Sequence, residues 1–368
     1  MWHYWPEHYS WSYQGIRILS QCQFGGGEIN EVLDTCSRII PGDYDSFHSE
    51  WMNLGNRVLA AGNEAMDRGN RETARAAYLR ASNYYRTAEF YLQPGDERKL
   101  PTYVAGVEAF RKGIGLIDRP PDIVRVPFEQ SFLPGYFYRA PGVDRGPLVI
   151  MFGGLDSTAE EMFFGNVPLL LERGISVLAM EGPGRGAALR LNGITARHDM
   201  NVAGTAALEY AIAHLDIDPE RIGVLAFSMG GYHAARMAAF EPRFKACAIL
   251  GAVYDYGEVW RSRPDHHPLS RIVQHVVGAG SMAEAREKLR LFTLEGVADR
   301  ISCPTYIIHG EDDRQVPVSH AYRVYNALKC PRVLKIVPTS STGSAHCQLD
   351  NITETYSMFD WLKRQLSR

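Results

Sequence analysis

The stretch Arg221–Ala239, RIGVLAFSMGGYHAARMAA, decides the fold. Its first part, Ile222–Phe227, is a short apolar run of strand length, and the part after Ser228 carries small and apolar residues at helical spacing. Ser228 stands at the turn between them, with Gly230 and Gly231 just behind it. A serine so placed projects its hydroxyl above the carboxyl end of a sheet, on a backbone strained by the tight turn. Ala226 and Gly230 keep bulk away where strand and helix approach each other. Alanine at the first position of G-x-S-x-G departs from the usual glycine but preserves smallness. A serine buried at a strand end without chemistry is the competing reading, and the strand and helix on either side argue against it.

Working outward from this turn, β-type runs alternate with helical patterns from residue 122 to the end. Strands are expected at Ile123–Pro127, Gly135–Arg139, Leu148–Phe152, Ser176–Met180, Ile222–Phe227, Ala246–Val253, Thr305–His309 and Val333–Val337. The pattern predicts an eight-stranded, mostly parallel sheet with helices on both faces. Residues 1–121 lack such runs. Phe47–Gly62 and Arg71–Leu92 are apolar at helical spacing, which predicts an N-terminal helical cap region before a core at 122–368. Ala60–Tyr91 resembles one tetratricopeptide-type hairpin, but a single copy makes no array, so the stripe Ala74, Ala77, Tyr78, Ala81, Tyr84, Tyr85 and Ala88 is read as packing, with a partner-binding or dimer surface as the alternative. Trp5, Tyr9, Trp11, Tyr13 and Trp51 are read the same way, with a lining for a flat substrate as the alternative. Residues 255–299, after the sixth strand, form a lid-like insertion where ligands of such sheets bind, so Tyr254 and Trp260 are candidate substrate contacts.

Two partners complete a nucleophile. PTYIIHGEDDRQVP (Pro304–Pro317) is a strand whose end presents Asp313, and STGSAHCQLDN (Ser341–Asn351) is a late loop carrying His346. Imidazole titrates near neutrality and can take the Ser228 proton while a carboxylate orients it. The order Ser, Asp, His suits a strand–turn–helix nucleophile. An oxyanion needs two backbone N–H donors. Met229 supplies one, and VIMFGGLDSTAEE (Val149–Glu161) supplies the other from Leu155 or Gly154, with Gly153 letting the backbone approach substrate. Asp156 is a candidate substrate contact or a helix-dipole partner, and Ser157 with Glu160 reads as a capping box.

Composition narrows the alternatives. A net charge of -3 speaks against nucleic-acid binding. Six scattered cysteines suit a reduced, cytoplasmic protein, and twelve histidines include no HExxH, so neither metal nor cofactor is expected. No secretory leader pattern and no membrane-length apolar run is present. The loop EGPGRG (Glu181–Gly186) matches G-x-G-x-x-G poorly, because Pro183 interrupts it.

Taken together, GGLDSTAEE, EGPGRG, AFSMGG, HGEDDRQVP with the HGxxDxxVP spacing, and the late histidine loop resemble one branch of the α/β-hydrolases. That branch holds dihydroxypseudooxynicotine hydrolase, the fungal hydrolases that shorten heptaketide naphthopyrones, and the fermentation-respiration-switch esterase-like proteins. The resemblance spans residues 45 to 365. It implies an α/β-hydrolase fold with a Ser228–His346–Asp313 triad that hydrolyses a C–C bond next to a ketone in a polyketide-like or aryl β-dicarbonyl substrate. The chain has Asp156 where dihydroxypseudooxynicotine hydrolase has glutamate. Ester, lactone or thioester hydrolysis is the second reading, since one triad serves all of these. Release from an acyl carrier protein would call for a basic entrance, with Arg261, Arg263, Arg271 and Lys288 as candidates. Relatives also suggest a homodimer. A non-catalytic interaction protein is the remaining class, which an intact triad disfavours.

Overall fold

The computed structural model describes residues 1–367. The chain divides into two compact units, one of Trp2–Pro121 with Phe163–Gly165, the other of Asp122–Met162 and the chain from Asn166 onward.

The first unit is helical: α1 (Tyr9–Gln21), α2 (Ile29–Arg38), α3 (Tyr44–Asp67), α4 (Arg71–Glu89) and α5 (Lys99–Ile114). Helix α3 begins before the apolar spacing does, because Asp43 caps it by accepting the Asp45 and Ser46 N–H groups, both at 3.0 Å. The α4 stripe is buried throughout. Its tyrosines keep their hydroxyls satisfied, Tyr78 on Asn63 at 2.9 Å, Tyr84 on Glu31 at 2.6 Å and Tyr85 on Asn56 at 2.8 Å. Trp11 lies in an aromatic cluster with Tyr44, Phe47 and Tyr91, at ring distances of 5.7, 5.0 and 5.1 Å. Packing inside the unit thus accounts for the aromatic wealth. Trp51 is fully buried between Phe47 and Tyr84. Trp51→Ala is expected to destabilise the helical unit by about 3–5 kcal/mol. The check is the denaturant midpoint followed by far-ultraviolet circular dichroism.

In the second unit the strands are β1 (Asp122–Phe128), β2 (Ser131–Tyr138), β3 (Leu148–Phe152), β4 (Ser176–Met180), β5 (Ile222–Phe227), β6 (Ala246–Leu250), β7 (Thr305–Gly310) and β8 (Arg332–Val337). They form one sheet in the order β1-β2-β4-β3-β5-β6-β7-β8. The β1–β2 and β2–β4 pairs are antiparallel and the rest parallel. Sequence explains the difference. β3, β4 and β6 are buried at every position, as strands covered on both faces must be, whereas β1 alternates, with Val124, Val126 and Phe128 buried. Strand β6 stops at Leu250, three residues short of the expected Val253, because Gly251 takes φ of 77° and turns the chain.

The helices of this unit are α6 (Ala159–Met162), α7 (Asn166–Leu171), α8 (Gly186–Arg190), α9 (Asn201–His214), α10 (Met229–Phe240), α11 (Tyr256–Arg261), α12 (Ser270–Val276), α13 (Met282–Leu289), α14 (Ser319–Ala327) and α15 (Tyr356–Leu366). Helices α11–α13 occupy the stretch after β6. Val259, Trp260, Val273, Val276 and Leu289 carry its apolar faces into the core. No helix among the described residues is long and apolar enough to cross a membrane.

Candidate active site

Strand β5 ends at Phe227 and α10 begins at Met229, leaving Ser228 alone at the corner with φ of 60° and ψ of -127°. This lies outside the regions that L residues favour and costs on the order of 1–3 kcal/mol. The surroundings impose it. The Ser228 N–H donates to Leu250 O at 2.9 Å, and its own carbonyl accepts from Gly231 N–H at 2.7 Å. A Cβ on Gly230 would lie 2.7 Å from Gly153 O and 2.9 Å from the Ala226 Cβ, so only glycine lets the helix descend onto the strand ends.

Asp313 and His346 arrive from the ends of two other segments. Asp313 follows β7 and His346 opens a 3-10 turn beyond β8, where Cys347 has a positive φ of 53°. His346 Nε2 lies 2.8 Å from Ser228 Oγ, and His346 Nδ1 lies 2.6 Å from Asp313 Oδ2. The other carboxylate oxygen, Oδ1, accepts the Gln315 and Val316 N–H groups, both at 2.8 Å. Burial works against the charge of both groups. Their mutual attraction, with help from Cys347 at the ring and from His309 and the Val316 N–H at the carboxylate, outweighs it, so Asp313 is held below the usual carboxylate range and His346 is raised above ordinary imidazole. The hydroxyl, ring and carboxylate are thus aligned to pass a proton from serine to imidazole.

One residue here escaped the sequence reading. His309, at the end of β7, is wholly buried. Its Nδ1 accepts the Ala252 N–H at 3.0 Å, so the proton sits on Nε2, which donates to Val316 O at 2.9 Å and lies 3.3 Å from Asp313 Oδ2. Its position four residues before an acid at a strand end was the only signal available.

The loop after β3 approaches the nucleophile closely, since a Cβ on Gly154 would sit 2.8 Å from the Ser228 Cβ. The Gly154 N–H is engaged by Ser157 Oγ at 2.9 Å. The Leu155 and Met229 N–H groups have no acceptor among the described residues. The expected capping box is not formed: Ser157 turns back to Gly154, the Glu161 N–H goes to Thr158 Oγ1 at 3.3 Å, and Glu160 accepts from the Tyr136 hydroxyl at 2.8 Å. Threonine, one residue later, is therefore the cap.

The remaining candidates are placed variously. Gly153 is buried and Asp156 half-buried. Tyr254 is half-buried beneath Arg323, whose guanidinium lies 4.3 Å from the ring. Trp260 is wholly buried, with Arg263 4.7 Å from its ring. The loop EGPGRG also reaches this region. Glu181, buried, ties two helix starts together by accepting the Ala159 N–H at 3.2 Å and the Ala187 N–H at 2.6 Å. Burial, then Glu160, push its carboxyl up from 4.5 to about 8, against the pull of those N–H groups and of Arg190. A folded value above the unfolded one means stability that is present at acid pH and lost as pH rises from 4.5 through about 8. Glu181→Gln keeps an acceptor without the charge, so its Tm is expected to fall less across that window. A fluorimetric melting series checks this, and equal slopes would contradict it.

Two family models match the chain: that described as esterase FrsA-like over residues 25–258, and that of the prolyl oligopeptidase family over residues 162–368. The chain is 36% identical over 272 residues to the hydrolase acrC of Aspergillus aculeatus, covering 68% of this chain and 63% of that one. It is 35% identical over 265 residues to the 20-hydroxy-prefusarin hydrolase of Gibberella moniliformis, covering 68% and 62%. The chain therefore spans somewhat less than two thirds of the length of these relatives. The crystal structure of 2,6-dihydroxy-pseudo-oxynicotine hydrolase superposes with a TM-score of 0.82 at 25% identity, covering 95% of both chains. Sheet order, strand–serine–helix corner and family match agree: the chain belongs to the esterase FrsA-like family and has the α/β-hydrolase fold, on the branch shared by the fungal hydrolases and 2,6-dihydroxy-pseudo-oxynicotine hydrolase.

Proposed function

We propose that the chain is a serine hydrolase that cleaves the C–C bond beside a ketone in a polyketide-like or aryl β-dicarbonyl substrate. The observation that carries the reading is the continuous hydrogen-bonded line from Ser228 Oγ through His346 to Asp313. Ser228 Oγ adds to the carbonyl carbon as its proton passes to His346 Nε2. The tetrahedral oxyanion is held by the Leu155 and Met229 N–H groups, which are free to donate. Collapse breaks the bond from the carbonyl carbon to the α-carbon. The second carbonyl takes up the electron pair as an enolate, and His346 returns the proton to it. Water, deprotonated by His346, then releases the acyl group from Ser228 as a carboxylic acid. The β-dicarbonyl matters because only an enolate makes carbon a tolerable leaving group.

The family description as an esterase favours a second reading, in which the leaving group is an alcohol or thiol and the same residues act in the same order. A carrier-bound acyl group is less well supported. Of the candidate basic residues, Lys288 pairs with Glu284 at 2.9 Å, Arg263 donates to Gln315, and Arg261 lies 3.9 Å from Asp255. The test is turnover of an aryl β-diketone against an aryl ester and an aryl thioester, with products identified by mass spectrometry. Diketone cleavage well above ester cleavage supports the C–C reading, and ester or thioester turnover alone replaces it with the second. Failure of a fluorophosphonate to label Ser228 in folded protein would instead favour an interaction protein.

A further inference from the structure

Arg185, in the middle of EGPGRG, is a cation in an unusual place. It is 1% exposed, flanked by Gly184 and Gly186 with φ of 84° and 43°, and these turns direct its side chain inward. Its Nε donates to Gly154 O at 2.6 Å and its Nη1 to Pro183 O at 2.6 Å. Its Nη2 is buried with no hydrogen-bond partner among the described residues. No carboxylate among those residues lies within ion-pair distance, although the charge of Asp156 acts on it from farther away. Burying a guanidinium whose donors are not all matched is costly, and that cost is set against the two carbonyl bonds it makes. A neutral donor would satisfy those carbonyls without burying a charge, so fold stability alone does not call for a cation here.

The acceptor explains it. Gly154 O and the Leu155 N–H belong to one peptide unit, and a trans peptide is planar, with its C=O and N–H pointing in opposite directions. A guanidinium that grips the carbonyl at 2.6 Å fixes the direction of the N–H. The bond is charge-assisted, and it polarises the amide so that the N–H becomes a stronger donor. The adjacent Gly154 N–H is held by Ser157, which leaves Leu155 as the donor this loop presents beside Ser228.

Resting on the reading of Ser228 as nucleophile, we propose that Arg185 is the positioning residue of the oxyanion hole. Its guanidinium holds the Gly154–Leu155 peptide by the carbonyl, and so aims and strengthens the Leu155 N–H for the oxygen that becomes negative when Ser228 attacks.

The test compares Arg185→Met and Arg185→Gln with wild type on whichever substrate of the preceding section is turned over fastest. It also measures inhibition by an aryl trifluoromethyl ketone, which forms a tetrahedral adduct with serine, and by the non-fluorinated ketone. Arg185→Met is expected to lower kcat about 10- to 100-fold with KM within about twofold, and to weaken the trifluoromethyl ketone by the same factor but not its unreactive counterpart. Arg185→Gln, which can still donate one N–H to Gly154 O, should recover part of the loss. Unchanged kcat, or a loss shared by KM and by both ketones, overturns the proposal. Should neither variant fold, the crystal structure of the wild-type trifluoromethyl ketone adduct decides. An adduct oxygen within about 3.1 Å of Leu155 N supports the proposal, and one without that contact overturns it. Fluorophosphonate labelling of wild type separates the two levels: an unlabelled Ser228 removes the nucleophile and this proposal together, whereas a labelled Ser228 with an unaffected Arg185→Met removes the proposal alone.

Discussion

Ser228→Ala is expected to lower kcat by about 10^4-fold or more while leaving KM and Tm nearly unchanged. Removing the hydroxyl deletes the atom that His346 Nε2 faces at 2.8 Å. The fold should tolerate the change. Alanine keeps the Cβ against Gly154, and the backbone at φ of 60° is imposed by bonds to Leu250 and Gly231 that involve no side chain. Steady-state kinetics with a thermal melt on the same sample check it. Residual activity within about 100-fold of wild type would mean that another group carries the chemistry.

Asp313→Asn is expected to cost about 10^3- to 10^4-fold in kcat, and the geometry says why. Oδ1 accepts two backbone N–H groups, so the amide oxygen of asparagine must take that place. Its NH2 group then faces His346 Nδ1, which becomes an acceptor and moves the ring proton to Nε2. An imidazole protonated at Nε2 cannot receive the serine proton. A pH profile gives a second readout. In wild type, Asp313 raises His346 above the ordinary imidazole value of 6.5, and only the deprotonated ring is a base. The plot of kcat/KM should therefore rise with pH through a midpoint above 6.5. Without the carboxylate charge, the remaining activity should rise at a lower pH. A midpoint that is unchanged, or that moves upward, would contradict the assigned pairing.

The sheet was legible where chemistry and local pattern coincide. LVIMF, SVLAM and IGVLAF are strands at the bounds their apolar runs suggest, because strands covered on both faces must be apolar at every position. The corner at Ser228 was legible for the same reason, since the small residues around it are required by the descent of α10. What periodicity could not convey is approach in space. The early end of β6 follows from a positive φ at Gly251, and the Ser157 hydroxyl is drawn back to Gly154 by loop geometry although its spacing to Glu160 suits a cap. His309 and Arg185 were missed because each is defined by a partner distant in sequence or by a turn with no repeat. EGPGRG matches a phosphate loop poorly, yet that mismatch said nothing about a guanidinium closing on a glycine carbonyl 31 residues earlier.

The most direct test of the account is to mix the protein with an aryl β-diketone, quench in acid within the first turnovers, and search the digest by mass spectrometry for an acyl group on the peptide that contains Ser228. The account predicts that adduct in wild type and its absence in Ser228→Ala, with the methyl ketone fragment released before the carboxylic acid. Simultaneous release of both fragments with no acyl group on Ser228 would contradict it.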